Sequence, residues 1–203
     1  MKVTIVAITM ALLGMSSMAQ EEHYDCVFCP HPGTTGYNLY AGLTFEHHAS
    51  ITNTKPGVEA GVIFNRMFVC GAYGQGTTGN FGIRYYNGDI HNIMFGEGGV
   101  FAGYVAGYSK PIHFGGTLKI GYIALVADDQ EMKLFKDVEP IAEDGGMVFH
   151  PEVFTETNVT KHIKVRLGAG YSFNSLDKES VICNKDLDSW TMNLSVLAGN
   201  FAK

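Results

Sequence analysis

The sequence predicts an all-β protein: an eight-stranded antiparallel up-and-down β-barrel, membrane-spanning, with its apolar face outward. Three observations carry that expectation. Residues 162–173 alternate strictly, with Ile163, Val165, Leu167, Ala169, Tyr171 and Phe173 on one face and His162, Lys164, Arg166, Gly168, Gly170 and Ser172 on the other. This is the period of a β-strand. At roughly 3.3 Å per residue, twelve residues reach about 40 Å, enough to cross a bilayer core of about 30 Å at a tilt of roughly 45°. The same design recurs until eight strands are counted, and short turns alternate with long polar loops.

The chain opens with Lys2, an apolar run from Val3 to Leu13 and a small-residue segment ending Ser17-Met18-Ala19. Residues 1–19 read as a secretory signal peptide, since the apolar run is too short to span a bilayer. A polar lead-in over 20–36 contains Cys26-Val27-Phe28-Cys29-Pro30-His31. In an exported protein Cys26 and Cys29 are disulfide candidates, closing on each other or pairing with Cys70 and Cys183. A metal site built from Cys26, Cys29 and His23 or His31 would lack a second half with ligand spacing, so no metal is expected there. Covalent haem attachment fails because Pro30 displaces the histidine by one position.

Residues 37–203 then form the barrel domain. Tyr37, Leu39, Ala41, Leu43 and Phe45 oppose Asn38, Tyr40, Gly42, Thr44 and Glu46 in the first strand. A polar loop over 47–57 leads to a second strand, with Val58, Ala60, Val62 and Phe64 opposite Glu59, Gly61 and Ile63. Asn65-Arg66 reads as a two-residue hairpin turn into a strand over 67–74. A loop rich in Gly, Thr and Asn covers 75–89, and a glycine-studded strand follows over 90–108. Ser109-Lys110-Pro111 makes a tight connection, because proline presets a turn dihedral and cannot donate to a ladder.

The fifth strand, 112–124, sets Phe114, Leu118, Ile120 and Tyr122 against His113, Thr117, Lys119 and Gly121. The longest loop, 128–146, carries seven acids, in no calcium-loop spacing, and reads as a solvated segment. Strand six, 147–157, places Val148, His150, Glu152, Phe154 and Glu156 on one face. Residues 158–161 turn the chain into the strand described first. A loop over 174–189 precedes the last strand, where Trp190, Met192, Leu194, Val196 and Ala198 oppose Thr191, Asn193 and Ser195. Splitting residues 81–108 into two strands would put the acidic loop among the short turns, so one strand is expected there.

The polar faces decide which side is inside. They carry few charges, of both signs, diluted by Gly, Thr, Ser and Asn. A water-facing wall would carry many more Lys and Glu, whereas a narrow lumen needs small residues and balanced ions. Glu59, Glu152 and Glu156, with Glu46 on the same kind of face, are therefore expected to meet Lys119, Lys164 and Arg166 inside the barrel. Tyr37, Tyr122, Tyr171, Phe173, Trp190 and Phe201 are expected in two interfacial aromatic girdles. The inverse arrangement, a soluble periplasmic barrel with Leu167 and Leu194 lining a cavity for an apolar ligand, is the competing expectation.

With signal segment, strand count, loop alternation and a near-terminal aromatic in view, residues 37–201 resemble the small eight-stranded outer-membrane barrels of Gram-negative bacteria, the OmpX and OmpA transmembrane-domain type. Residues 61–76 and 152–171 are similar to an uncharacterised subgroup of such exported barrels. One departure is that Ala202-Lys203 follow Phe201, whereas such barrels usually end on the aromatic. The resemblance implies outer-membrane location, contact with outer-membrane lipid, and a structural or surface role through loops that meet an extracellular protein or surface ligand. No cofactor and no catalytic residue are implied. Some barrels of this size modify lipids, and His47, His48 and Ser50 supply base and nucleophile types at a strand end. The net charge of −6 and the lack of a basic patch exclude nucleic acid as a partner.

Overall fold

The computed structural model describes residues 36–49, 53–78, 83–84, 90–108, 110–128, 142–177, 187–199 and 201. Residues 1–19, expected to be a signal peptide, and Cys26, Cys29, Ser50 and Cys183 lie outside the described residues. The described residues form nine strands: β1 Tyr37–His48, β2 Asn53–Phe64, β3 Phe68–Thr78, β4 Ile83–Arg84, β5 Ile90–Ala106, β6 Ile112–Asp128, β7 Ala142–Asn158, β8 Ile163–Leu176 and β9 Ser189–Gly199. Eight are barrel staves. β4 is a two-residue overhang that pairs only through Ile83–His91 and Arg84–Ile90. Each stave pairs antiparallel with its neighbour in sequence, β3 pairs with β5, and β9 returns to β1, which closes the barrel.

The staves extend beyond their predicted ends on the loop side. The expected loop over 47–57 is a correction: β1 continues to His48 and β2 starts at Asn53. Residues 53–57, Asn-Thr-Lys-Pro-Gly, have turn composition, yet Lys55 turns inward with 3% exposure. Pro56 pairs with Phe45 on β1, while the β2–β3 ladder begins only at Gly57–Gln75. A residue without an N–H is tolerated where one ladder is missing. The loop expected over 75–89 likewise gives up 75–78 to β3, and Glu143 and Asp144 of the acidic loop belong to β7.

At the other end the connections are tight. Asn65 and Arg66 take φ of 49° and 56°, and Met67 N donates to Phe64 O at 3.0 Å. The ladder closes at Phe64–Phe68, so the connection holds three residues, one more than expected. Gly107 has φ of 71°, a conformation glycine adopts without Cβ strain, and Lys110 N returns to its carbonyl at 2.8 Å.

Period-2 alternation partitions the side chains. Leu39, Leu43, Val58, Val100, Phe114, Val153, Met192 and Val196 are among the large apolar residues exposed on the outer wall. Leu167 and Leu194, each 42% exposed, stand there too, so the inverted barrel with those leucines lining a cavity is overturned. Register neighbours Ala198, Ala41, Ala60 and Ala72 give that wall a shallow apolar trough across four staves. Aromatics gather toward its two edges. Phe149–Phe173 and Tyr171–Trp190 are register pairs near the loop end, with ring centroids 6.2 and 5.3 Å apart. Phe68 and Tyr104, at 5.8 Å, lie near the turn end.

Phe201 is a second correction. It is buried rather than in a girdle, because it continues the inward parity of Thr191, Asn193, Ser195 and Leu197, with Phe201 N donating to Lys161 O at 3.1 Å. Its ring caps the turn end of the lumen with Tyr40, Ile63, Val69, Phe101, Val105, Phe154 and Leu197.

Candidate functional site

The inward residues of the staves make a lumen filled by polar side chains. All six residues expected there are buried: Glu59, Lys119, Glu152, Glu156, Lys164 and Arg166. They fall into two clusters, one around Arg166 and Lys164 and one around Lys119.

Near the turn end, Arg166 reaches from β8 to two carboxylates. Its Nε donates to Glu156 Oε1 at 2.8 Å, its Nη2 lies 2.6 Å from the same oxygen, and its Nη1 donates to Glu59 Oε1 at 3.0 Å. Planar guanidinium suits this double duty. The second oxygen of Glu156 is held by His113 Nε2 at 2.8 Å and Lys164 Nζ at 3.4 Å. Rings cover the cations: Phe154 lies 4.3 Å from Arg166 Cζ, and Tyr108 and Phe201 lie 3.9 and 4.6 Å from Lys164 Nζ. Such stacking offsets part of the lost hydration. Burial raises the Tyr108 phenol, on the turn after β5, above its ordinary pKa, so it keeps its proton while accepting from Asn38 Nδ2 at 3.4 Å.

Toward the loop end, Lys119 bridges Glu152 Oε2 at 2.9 Å and Glu46 Oε2 at 3.3 Å. Glu46 Oε1 accepts from Gln75 Nε2 at 2.9 Å and lies 2.7 Å from His48 Nε2. Glu152 Oε2 also accepts from Asn193 Nδ2 at 3.2 Å. Above them, Glu97 accepts from Tyr73 OH at 2.8 Å, Gln75 Nε2 at 3.1 Å and Lys55 Nζ at 3.4 Å, and Phe95 lies 3.6 Å under Lys55. His150 shares this layer: its Nε2 meets Thr191 Oγ1 at 2.8 Å and its Nδ1 lies 3.6 Å from Glu46 Oε2. Glycines make room for side chains crossing the lumen. A Cβ on Gly168 would stand 2.6 Å from Glu152 Oε1, and one on Gly170 the same distance from His150 Nε2.

Among the described residues the buried acids are Glu46, Glu59, Glu97, Asp144, Glu152 and Glu156 and the buried fixed cations Lys55, Lys119, Lys164 and Arg166, with His48, His113 and His150 interleaved. Lys55, Gln75 and Glu97 were missed by sequence reasoning because they sit on stretches read as loop or as featureless strand. Their signal was the continued alternation, which turn-forming neighbours obscured. The pair His47 and His48 is not brought together. As consecutive residues of one strand they point to opposite faces, His47 outward with Thr54 Oγ1 at 3.4 Å and His48 inward. The serine that His48 meets is Ser189, whose Oγ lies 3.0 Å from Nδ1.

No family model matches the chain, and no curated protein matches it. Solved structures do. The N-terminal β-barrel domain of OprF from Pseudomonas aeruginosa is similar with a TM-score of 0.55 at 8% identity, covering 80% of this chain and 96% of that one. Neisserial surface protein A is similar with a TM-score of 0.51 at 10% identity, covering 82% of this chain and 96% of that one. The fold is that of the small outer-membrane β-barrels. In an outer-membrane barrel of eight staves the interior is only wide enough for its own side chains, and the two ion clusters occupy it here.

Proposed function

We propose that this chain is an outer-membrane barrel whose wall and lumen serve as a rigid anchor, and whose function is exerted at the loop end through contact with an extracellular protein or surface ligand. The observation that carries the reading is the partition of side chains: a continuous apolar outer wall around a lumen closed by buried ion pairs. Backbone polar groups in lipid must be paired within the protein, which only a helix or a closed barrel achieves. A lumen packed with paired ions leaves no wide pore, so the surfaces able to meet partners are the connections 79–89, 129–141 and 177–188. Outer-membrane lipid packs against the wall.

Fractionation of expressing cells, with gel mobility before and after boiling, tests the location. A membrane-embedded species whose mobility shifts on heating is expected, and a soluble, unshifted periplasmic species would overturn the reading. Replacing residues 129–141 by a short linker is expected to preserve the heat shift while reducing binding of whole cells to host or matrix surfaces.

A second reading, hydrolysis of a lipid ester at the loop-end mouth, draws on the carboxylate–imidazole–hydroxyl chain Glu46–His48–Ser189. It needs Ser189 Oγ to attack the acyl carbonyl while His48 takes the hydroxyl proton and returns it to the leaving alcohol, water then releasing the acid. Unchanged lipid turnover in a Ser189→Ala variant would remove it.

A further inference from the structure

We propose that Glu46, His150 and Glu152 form a buried binding site for one divalent transition-type cation, with Zn2+ the best-matched ion. One donor atom from each of the three lies within 4.8 Å of the other two. Two of their atoms are orphans. His150 Nδ1 and Glu152 Oε1 are buried and have no hydrogen-bond partner. An unpartnered buried acceptor is costly, and such groups are few in folded proteins. The separation of His150 Nδ1 and Glu46 Oε2, 3.6 Å, is too long for a hydrogen bond. It matches two ligands sharing one ion, because tetrahedral Zn2+ with bonds near 2.0–2.2 Å sets its ligands about 3.3–3.6 Å apart.

The surroundings fit the same role. Thr191 holds the other ring nitrogen of His150 at 2.8 Å, the contact by which a second group orients a ligating imidazole. The β7–β8 ladder runs from Phe149–Phe173 to Glu152–Gly170 and skips His150 and Pro151. Proline has no N–H to donate there, so the backbone that carries the imidazole is paired on its β6 side, Lys119–His150 and Leu118–Pro151, and not on its β8 side. One imidazole with two carboxylates is a borderline donor set, better suited to Zn2+ than to Ca2+ or Mg2+. Lys119 is the competitor. Its ammonium touches the Oε2 atoms of both glutamates, and the longer contact, 3.3 Å to Glu46, is the one an arriving ion would take over.

The competition yields a test that a purely structural cluster would not pass. The full mature chain is refolded with and without ZnCl2, desalted exhaustively and analysed for metal content. Wild type is expected to retain one equivalent, with a zinc-edge absorption spectrum showing imidazole and oxygen ligands. His150→Gln and Glu152→Gln are expected to weaken retention at least tenfold, whereas Lys119→Met, which removes a like charge next to the ion, is expected to strengthen it at least tenfold. His47→Ala, on the outer wall, is expected to change nothing. Absence of stoichiometric zinc in wild type would overturn the site, as would sulfur in the first shell, which would put the ion on Cys26 and Cys29. Weaker binding by a folded Lys119→Met, or loss of binding in His47→Ala, would do the same. Should the glutamine variants fail to fold, wild-type stoichiometry and the edge spectrum still decide.

Discussion

The two ion clusters use the same residue types and differ in how their charged groups are met, although the buried Tyr40 hydroxyl beside Arg166 also has no hydrogen-bond partner. Around Arg166, both carboxylates are met by charged partners, and the cations are roofed by aromatic rings. Around Lys119, two glutamates share one ammonium, and an imidazole nitrogen and a carboxylate oxygen stay without partners. A guanidinium offers five donors in a fixed fork, enough for two acids, whereas an ammonium is a compact point charge. The contrast separates a closed structural core from a cluster with donors to spare.

The largest effect expected is on the closed cluster. Arg166→Leu strands Glu59, which has no other ion pair among the described residues, and removes the main partner of Glu156. Breaking a buried pair from one side costs about 3–5 kcal/mol. Urea unfolding in lipid should show that loss, and an unchanged midpoint would mean the cluster is not a structural core.

Next comes the wall that makes both clusters buried. Val196→Arg places a charge on the outer face, 43% exposed in the isolated chain. If that face meets lipid, the substitution should cost about 2–4 kcal/mol near the bilayer midplane. An unaffected folded yield would mean the face meets water.

Lys119→Met is expected to cost less than Arg166→Leu, about 1–3 kcal/mol, because Gln75 and His48 still hold Glu46 and Asn193 still holds Glu152. Equal losses at the two cations would erase the distinction between the clusters.

The smallest effect is a gain far from either. Arg66 holds φ of 56° in the turn between β2 and β3. Arg66→Gly relieves a left-handed strain of about 1 kcal/mol, so unfolding should shift by that much toward higher urea. Its independence from the lumen variants would check that the clusters, not the turns, set the difference between them.

Much of this was legible in the chain. Ile163 to Phe173 and Trp190 to Ala198 announce stave, tilt and facing by alternation alone, since a one-residue slip would exchange lipid face for lumen. The identities of the six expected lumen ions followed from the same parity. Strand ends at 47–57 and 75–78 were not legible, because Pro56, Gly57 and Gly76 have turn chemistry, and only pairing with β1 and β5 overrides it. Phe201 was expected in a girdle for its aromatic ring and its place near the chain end, whereas the parity of Thr191, Asn193, Ser195 and Leu197 puts it on the lumen side.

By itself, then, the sequence determined that there are eight staves and, for six of them, which side faces the lumen, because side-chain direction in a strand is a local property of the backbone. Only the tertiary structure decided which ions meet. Glu59 and Arg166 are 107 residues apart, and their 3.0 Å contact depends on barrel closure and on the stagger of the three strand pairings, β2–β1, β1–β9 and β9–β8, that link their staves. That stagger also decided that Glu46, from the first stave, arrives beside His150 and Glu152 from the sixth, a meeting that no spacing along the chain records.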